Sequence, residues 1–175
     1  MPELPDLEVF AANLEKRFKH KTLECLKAWV IKKLNVSEKE LKDELQGRKL
    51  FAVKREGKTL QLHFEGGNVL GLHLMLHGEL KTFKHDEELK YPIISLCFKE
   101  ADGFALTDFQ KAATPTFNPP PSGVPDALSD EMSLSYLERI LAKTKKPVKT
   151  LLMDQHVIRG IGNTYADEIL WAARI

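Results

Sequence analysis

The chain has little cysteine: two residues in 175, Cys25 and Cys97, in no C-x-x-C spacing. That excludes a cysteine-based zinc finger within these residues and argues against a disulfide framework. The expectation is a reduced, intracellular protein with two structural thiols. Long hydrophobic runs are also missing. No apolar stretch is long enough to cross a bilayer and no signal-peptide pattern opens the chain, so the cytoplasm is the expected compartment. Neither sign of charge dominates, with 26 basic and 25 acidic residues and a net charge of +1. A nucleic-acid partner would therefore need a local basic face. There is no internal repeat.

What is present organises into three parts. Residues 5–18 read as a helix, with Leu7, Phe10, Ala11, Leu14 and Phe18 on one face. Pro5 suits the first helical position, and Asp6 and Glu8 suit the positive end of the dipole. TLECLKAWVI (22–31) reads as a strand, and Ser37 with Glu40 forms a capping box before a short helix. From 49 to 109 the segments KLFAVKR, TLQLHF, NVLGLHLM, ELKTFK, IISLCFK and FALTDF alternate with turn signals. The spacing predicts an α+β fold: an antiparallel β-sandwich domain over 1–112 with the first helix packed on it. Residues 113–132 hold five of the nine prolines and read as a linker. Residues 133–175 read as helical, with Ser133 as N-cap and Pro147 separating two helices. The chain ends in ADEILWAARI, an apolar helix with nothing following to bury it, so the native protein is expected to continue past Ile175.

Four stretches could carry chemistry. Removal of Met1 would leave Pro2 with a free secondary amine, and an α-amino group titrates at about 7.7–8.0, so part of it is a nucleophile near neutral pH. A secondary amine attacking a carbonyl-type carbon gives an iminium cation, an electron sink, and Glu3 could move protons at the same centre. VIRGIGNTYADE (157–168) places Gly160, Gly162 and Asn163 at the entry to a helix, where backbone N–H groups can cradle a phosphate or simply turn the chain. Six basic residues against one acid, Asp154, between Arg139 and Arg159 favour contact with a nucleic-acid backbone. Lys58 follows a hairpin glycine and could reach an anion or remain a solvated turn lysine. In LHLMLHGEL (72–80), His73 and His77 would make a metal pair only on a helix, and the surroundings read as strand and turn. Bulky apolar side chains in that loop, such as Leu76, could instead wedge between bases or pack in the core.

In this order these pieces resemble the formamidopyrimidine-DNA glycosylase/endonuclease VIII family. MPELPDLE is similar to the family's MPELPEVE, REGKTLQLHF to its lysine-bearing strand edge, HLMLHG to its HLGMSG-type loop, and LLMDQHVIRGIGNTYADEILWAARI to its helix–two-turn–helix signature. The resemblance implies a base-excision enzyme that flips a damaged base out of double-stranded DNA. Pro2 would be the nucleophile, Glu3 the proton donor and acceptor, and Lys58 a phosphate-binding catalytic group. His73, Leu76, Lys111, Lys149, Arg159, Gly160, Gly162 and Asn163 would contact DNA. No cofactor or metal is expected within these residues, and zinc only in a finger beyond Ile175. The protein is expected to act as a monomer on the chromosome.

Two departures from the pattern stand out. Asp6 replaces the usual glutamate of the opening motif. The wedge loop, typically DPRRFG, is DFQKAA (108–113), with Lys111 and Ala112 at the arginine and phenylalanine positions. A non-catalytic binder of distorted DNA is the alternative these departures raise. An unrelated N-terminal-proline tautomerase would explain Pro2 but leave the GIGN turn idle.

Overall fold

The computed structural model describes residues 2–84 and 88–175. Two four-stranded sheets form its body. One has the order β1-β6-β7-β5, from strands Leu23–Ala28 (β1), Pro92–Phe98 (β6), Gly103–Thr107 (β7) and Glu79–Phe83 (β5). The other has the order β2-β3-β4-β8, from Leu50–Glu56, Thr59–Phe64, Val69–His73 and Thr114–Phe117. Every pairing between them is antiparallel. Apolar residues from both sheets, including Leu26, Leu96 and Phe104 on one and Val53, Leu62 and Leu70 on the other, meet in a single core cluster. This is the α+β sandwich that the strand spacing predicts.

Helix α1 spans Leu4–Phe18, and its buried residues Leu7, Ala11, Leu14 and Phe18 fall on one face. Phe18 stacks on Phe98 at 4.8 Å and lies 5.3 Å from Phe104, which fixes the end of the helix to β6 and β7. Along the way the Glu15 carboxylate accepts a 3.2 Å hydrogen bond from the Val53 N–H on edge strand β2. The helix thus covers an edge that would otherwise offer open backbone groups. Helix α2 spans Glu38–Leu45, and the Ser37 hydroxyl caps it by accepting from the Glu40 N–H at 3.1 Å.

Two expectations need correction. Cys25 and Cys97 are direct cross-strand partners on β1 and β6, with Cα atoms 5.0 Å apart and their sulfurs joined in a disulfide. The pairing follows from strand register, which two isolated cysteines in a sequence do not reveal. The proline-rich stretch, in turn, is not all linker. Thr114–Phe117 is β8, an edge strand on β4, where Pro115 is tolerated because an edge position need not donate to a second neighbour.

Three helices follow: α3 (Leu134–Ala142), α4 (Val148–Met153) and α5 (Asn163–Ala173). Ser133 caps α3 by accepting from the Tyr136 N–H at 3.2 Å, and Pro147 stands at the N-cap of α4. Leu152, Ile158, Ile161 and Ala166 form a second, smaller core. The far end of α5 leaves Trp171 83% exposed.

Candidate active site

Glu3 is the N-cap of α1, and its backbone N–H donates to the Asp6 carboxylate at 2.9 Å. Asp6 therefore does the backbone-capping work of a longer acid at that position. The Glu3 side chain runs the other way and is only 4% exposed. Its carboxylate accepts from the backbone N–H groups of Gly162 (3.2 Å), Thr164 (2.9 Å) and Tyr165 (3.1 Å). These are the orphan donors at the start of α5, where the dipole favours negative charge. Burial alone would raise the Glu3 pKa. The N–H donors of Thr164 and Tyr165 outweigh it and, with Lys58 adding its charge, hold the carboxyl below its ordinary value.

The GIGN turn is thus an anion cradle, as its sequence suggests, but the anion it holds is the protein's own Glu3. Both glycines are required by close approach. A Cβ on Gly162 would lie 2.5–2.7 Å from the two Glu3 carboxylate oxygens. Gly160 has φ +102°, and a Cβ there would lie 2.9 Å from Leu4. Asn163, the first residue of α5, is exposed beside this cradle.

Lys58 sits at the tip of the β2–β3 hairpin, directly after Gly57, whose φ of +58° makes the turn. Burial pushes the Lys58 amine below its ordinary pKa, and the nearby Glu3 carboxylate opposes the shift. His73 ends β4 opposite Thr59, and its Nδ1 accepts from the Met75 N–H at 3.1 Å, which leaves the proton on Nε2. Burial and then the Lys58 charge both push the His73 imidazole down, so it is neutral near pH 7. Glu3, Lys58 and His73 therefore form one electrostatically coupled group. Half-buried Pro2 precedes Glu3 in the chain. Met1, whose removal would free the Pro2 amine, lies outside the described residues.

Other expected contacts sit farther out. Leu76 is 56% exposed in the turn after β4, and Met75 beside it is exposed with φ +56°. Lys111 is exposed with φ +54° in the loop after β7. Asp108 holds that loop, its carboxylate accepting from the N–H groups of Gln110, Ala112 and Ala113 at 2.8–2.9 Å. Ala113 is fully buried, whereas Phe109 is exposed with its ring 4.8 Å from His77. The structure thus offers an exposed aromatic against His77, the residue after Leu76, that matching residues to DPRRFG does not find. Lys149 makes a 2.6 Å surface pair with Asp167 and keeps its exposure.

Arg159 differs from expectation. Its guanidinium donates to the Val124 carbonyl at 2.7 Å and to Glu56 at 2.6 Å. With Nε and Nη1 bonded within the protein and its side chain 18% exposed, it ties two parts of the chain together. A count of local basic residues carries no information on which acid lies opposite in the fold.

The comparisons with known proteins concern the family and the fold. Residues 1–114 match the family model described as the formamidopyrimidine-DNA glycosylase N-terminal domain, and residues 124–175 match its H2TH domain. Formamidopyrimidine-DNA glycosylase of Carboxydothermus hydrogenoformans is 32% identical across 99% of this chain and 66% of its own length. That of Lactiplantibacillus plantarum is 28% identical across 100% of this chain and 68% of its own. The chain thus spans about two thirds of the length of these relatives. Among solved structures, wild-type Lactococcus lactis Fpg with DNA containing N7-benzyl-Fapy-dG superposes with a TM-score of 0.88 at 26% identity, over 99% of this chain and 68% of that one. The same enzyme with abasic-site DNA gives 0.88 at 25% identity, with the same coverage.

Proposed function

The chain belongs to the formamidopyrimidine-DNA glycosylase family, and from that premise we propose that it removes oxidised or ring-opened bases from double-stranded DNA and then cleaves the strand as a lyase. The reacting group is the Pro2 amine, freed by loss of Met1. It attacks C1′ of the damaged nucleotide while the base leaves with the bonding electron pair and takes a proton from water. The new C–N bond makes a secondary amine into an iminium once the sugar ring opens. The iminium withdraws electrons from C2′, so a C2′ proton can leave and the 3′ phosphate is expelled by β-elimination.

Glu3 supports this reading most directly. An ionised carboxylate on the residue that follows the amine could take the amine proton as the bond to C1′ forms and return it to the sugar oxygen as the ring opens. Its N–H donors keep it ionised at rest, so it begins the cycle as the acceptor. The Lys58 ammonium, tucked beside it, would pair with the phosphate next to the lesion. The neutral His73 would add an N–H donor. Lys149 and Asn163 offer further donors for phosphates, and Leu76 an apolar side chain for the space left by the flipped base. The reaction would run inside the cell on chromosomal DNA, without a metal at these residues. No helix among the described residues is long and apolar enough to cross a membrane.

Nicking of duplexes carrying an oxidised purine or an abasic site tests the proposal. Wild-type protein should nick both, and Pro2→Gly neither. The DFQKAA loop favours the second reading, a binder of distorted DNA without catalysis. Binding of abasic duplex with no nicking by the Met-processed protein would select it.

A further inference from the structure

Residues 124–128 fall in the stretch whose composition reads as linker, yet they are gripped from both sides. On one side, Arg159 donates its N–H to the Pro125 carbonyl and accepts at its own carbonyl from the Ala127 N–H, both at 2.9 Å. This is a short parallel bridge between Asp126 and Arg159, next to the turn that holds Glu3. On the other side, the Asp126 carboxylate reaches into the Lys58 hairpin. It accepts from Arg55 Nη1 (2.6 Å), Arg55 Nη2 (2.8 Å) and the Gly57 N–H (2.8 Å). A fourth donor is the Leu128 N–H of its own segment, at 3.1 Å. Arg55 closes the hairpin by donating to the Gly57 carbonyl at 3.0 Å.

Four donors saturate a carboxylate, which has about four lone-pair sites. Asp126 thus has no capacity left for substrate, and Arg55, with its side chain 5% exposed, is equally committed. The residue they fix is Gly57, left-handed and immediately before Lys58. The Glu56–Arg159 pair adds a link from the same arm of the hairpin to the residue that the strap grips.

We propose that Asp126 is a positioning residue for Lys58: the strap 124–128 clamps the hairpin tip to the Glu3 cradle and sets where the Lys58 amine stands relative to Glu3 and His73. Its consequence for catalysis rests on the function proposed above. The arrangement also joins the sandwich to the helical part of the chain through the reacting groups. Displacement of the strap would move Lys58 away from Glu3 without touching either residue.

The test uses Asp126→Asn, which keeps the shape and removes the charge, and Asp126→Glu, which keeps the charge. The His73 imidazole titration, followed by NMR, reports how close the Lys58 charge stands, whether or not the protein is active. In Asp126→Asn the His73 pKa should rise toward its ordinary value. Single-turnover nicking of abasic duplex should fall at least tenfold, and by more than the affinity for that duplex falls. Asp126→Glu should show smaller shifts in the same direction, which keeps the test open if the asparagine variant folds poorly. A folded Asp126→Asn protein with unchanged His73 titration would overturn the proposal. So would a loss of rate and affinity in parallel with melting temperature, the mark of a role in stability alone. Wild-type protein that never nicks would refute the proposed function, and the His73 titration would still decide whether Asp126 holds Lys58.

Discussion

The carboxylate of Glu3 fills the space that a side chain on Gly162 would need. The two residues lie 159 positions apart in the chain, yet one accepts a hydrogen bond from the other at 3.2 Å. Because Pro2 precedes Glu3, this contact fixes the proposed nucleophile against the helical part of the chain. Gly162 therefore matters for its lack of a side chain; its φ of −113° is open to any residue.

Gly162→Ala is expected to dislodge Glu3 from the turn. A Cβ within 2.7 Å of both carboxylate oxygens forces a shift. Overpacking of this kind costs about 1–3 kcal/mol. Calorimetry should show a lower Tm, and nicking should be lost. Gly123→Ala, where a Cβ meets open space, should leave both unchanged.

The stabilisation from Glu3 should depend on pH in one direction. Its folded pKa lies below the ordinary carboxylate value of 4.5. The contribution is therefore complete above that ordinary value and is lost as pH falls through the lower, folded one. Glu3→Gln should cost about 1–2 kcal/mol at neutral pH, the scale of a charge at a helix N-terminus in a partly buried site. Urea melts of both proteins from pH 7 to acid should converge at low pH. A gap that widens on acidification would contradict the assignment.

Removing the Lys58 charge should be visible at His73. Burial is the larger cause of the low His73 pKa and Lys58 the smaller. In Lys58→Met the His73 imidazole should titrate higher than in the wild type but still below 6.5. An unchanged titration would mean that the two side chains do not share a site.

What the sequence made legible was local. The α1 start, the Ser37 and Ser133 caps, the TLQLHF strand and the GIGN helix entry all depend on residues within a few positions, so spacing and turn chemistry suffice. The site's connections depend on register and on long-range docking. Nothing in GIGN announces that its anion is Glu3, and nothing in a run of basic residues says that Arg159 turns inward to Glu56. Pro115 disguised β8 because a proline argues against a strand until the strand is known to lie at an edge. Asp126 and Arg55 carried no signal at all, because their pairing appears only once the hairpin meets the strap. Phe109 was hidden by its position in DFQKAA, where matching to DPRRFG looks for the aromatic later in the loop.

The Cys25–Cys97 bridge should contribute measurably to stability. It closes a loop with a sequence separation of 72 residues, and a disulfide typically contributes about 2–4 kcal/mol. Dithiothreitol, or a Cys25→Ser change, should lower the melting temperature of oxidised protein. The double variant Cys25→Ser, Cys97→Ser should no longer respond to the reductant.

On the proposed function, the Pro2 amine, set in place by Glu3 and the α5 turn, forms the covalent bond to DNA. Borohydride reduction during reaction with an abasic-site duplex, followed by peptide mapping, tests it most directly. One trapped complex is expected, with the sugar remnant on the Pro2 nitrogen, absent in Pro2→Gly. A Met-processed protein that traps nothing under conditions where a family relative does, or an adduct that maps to Lys58, would contradict it.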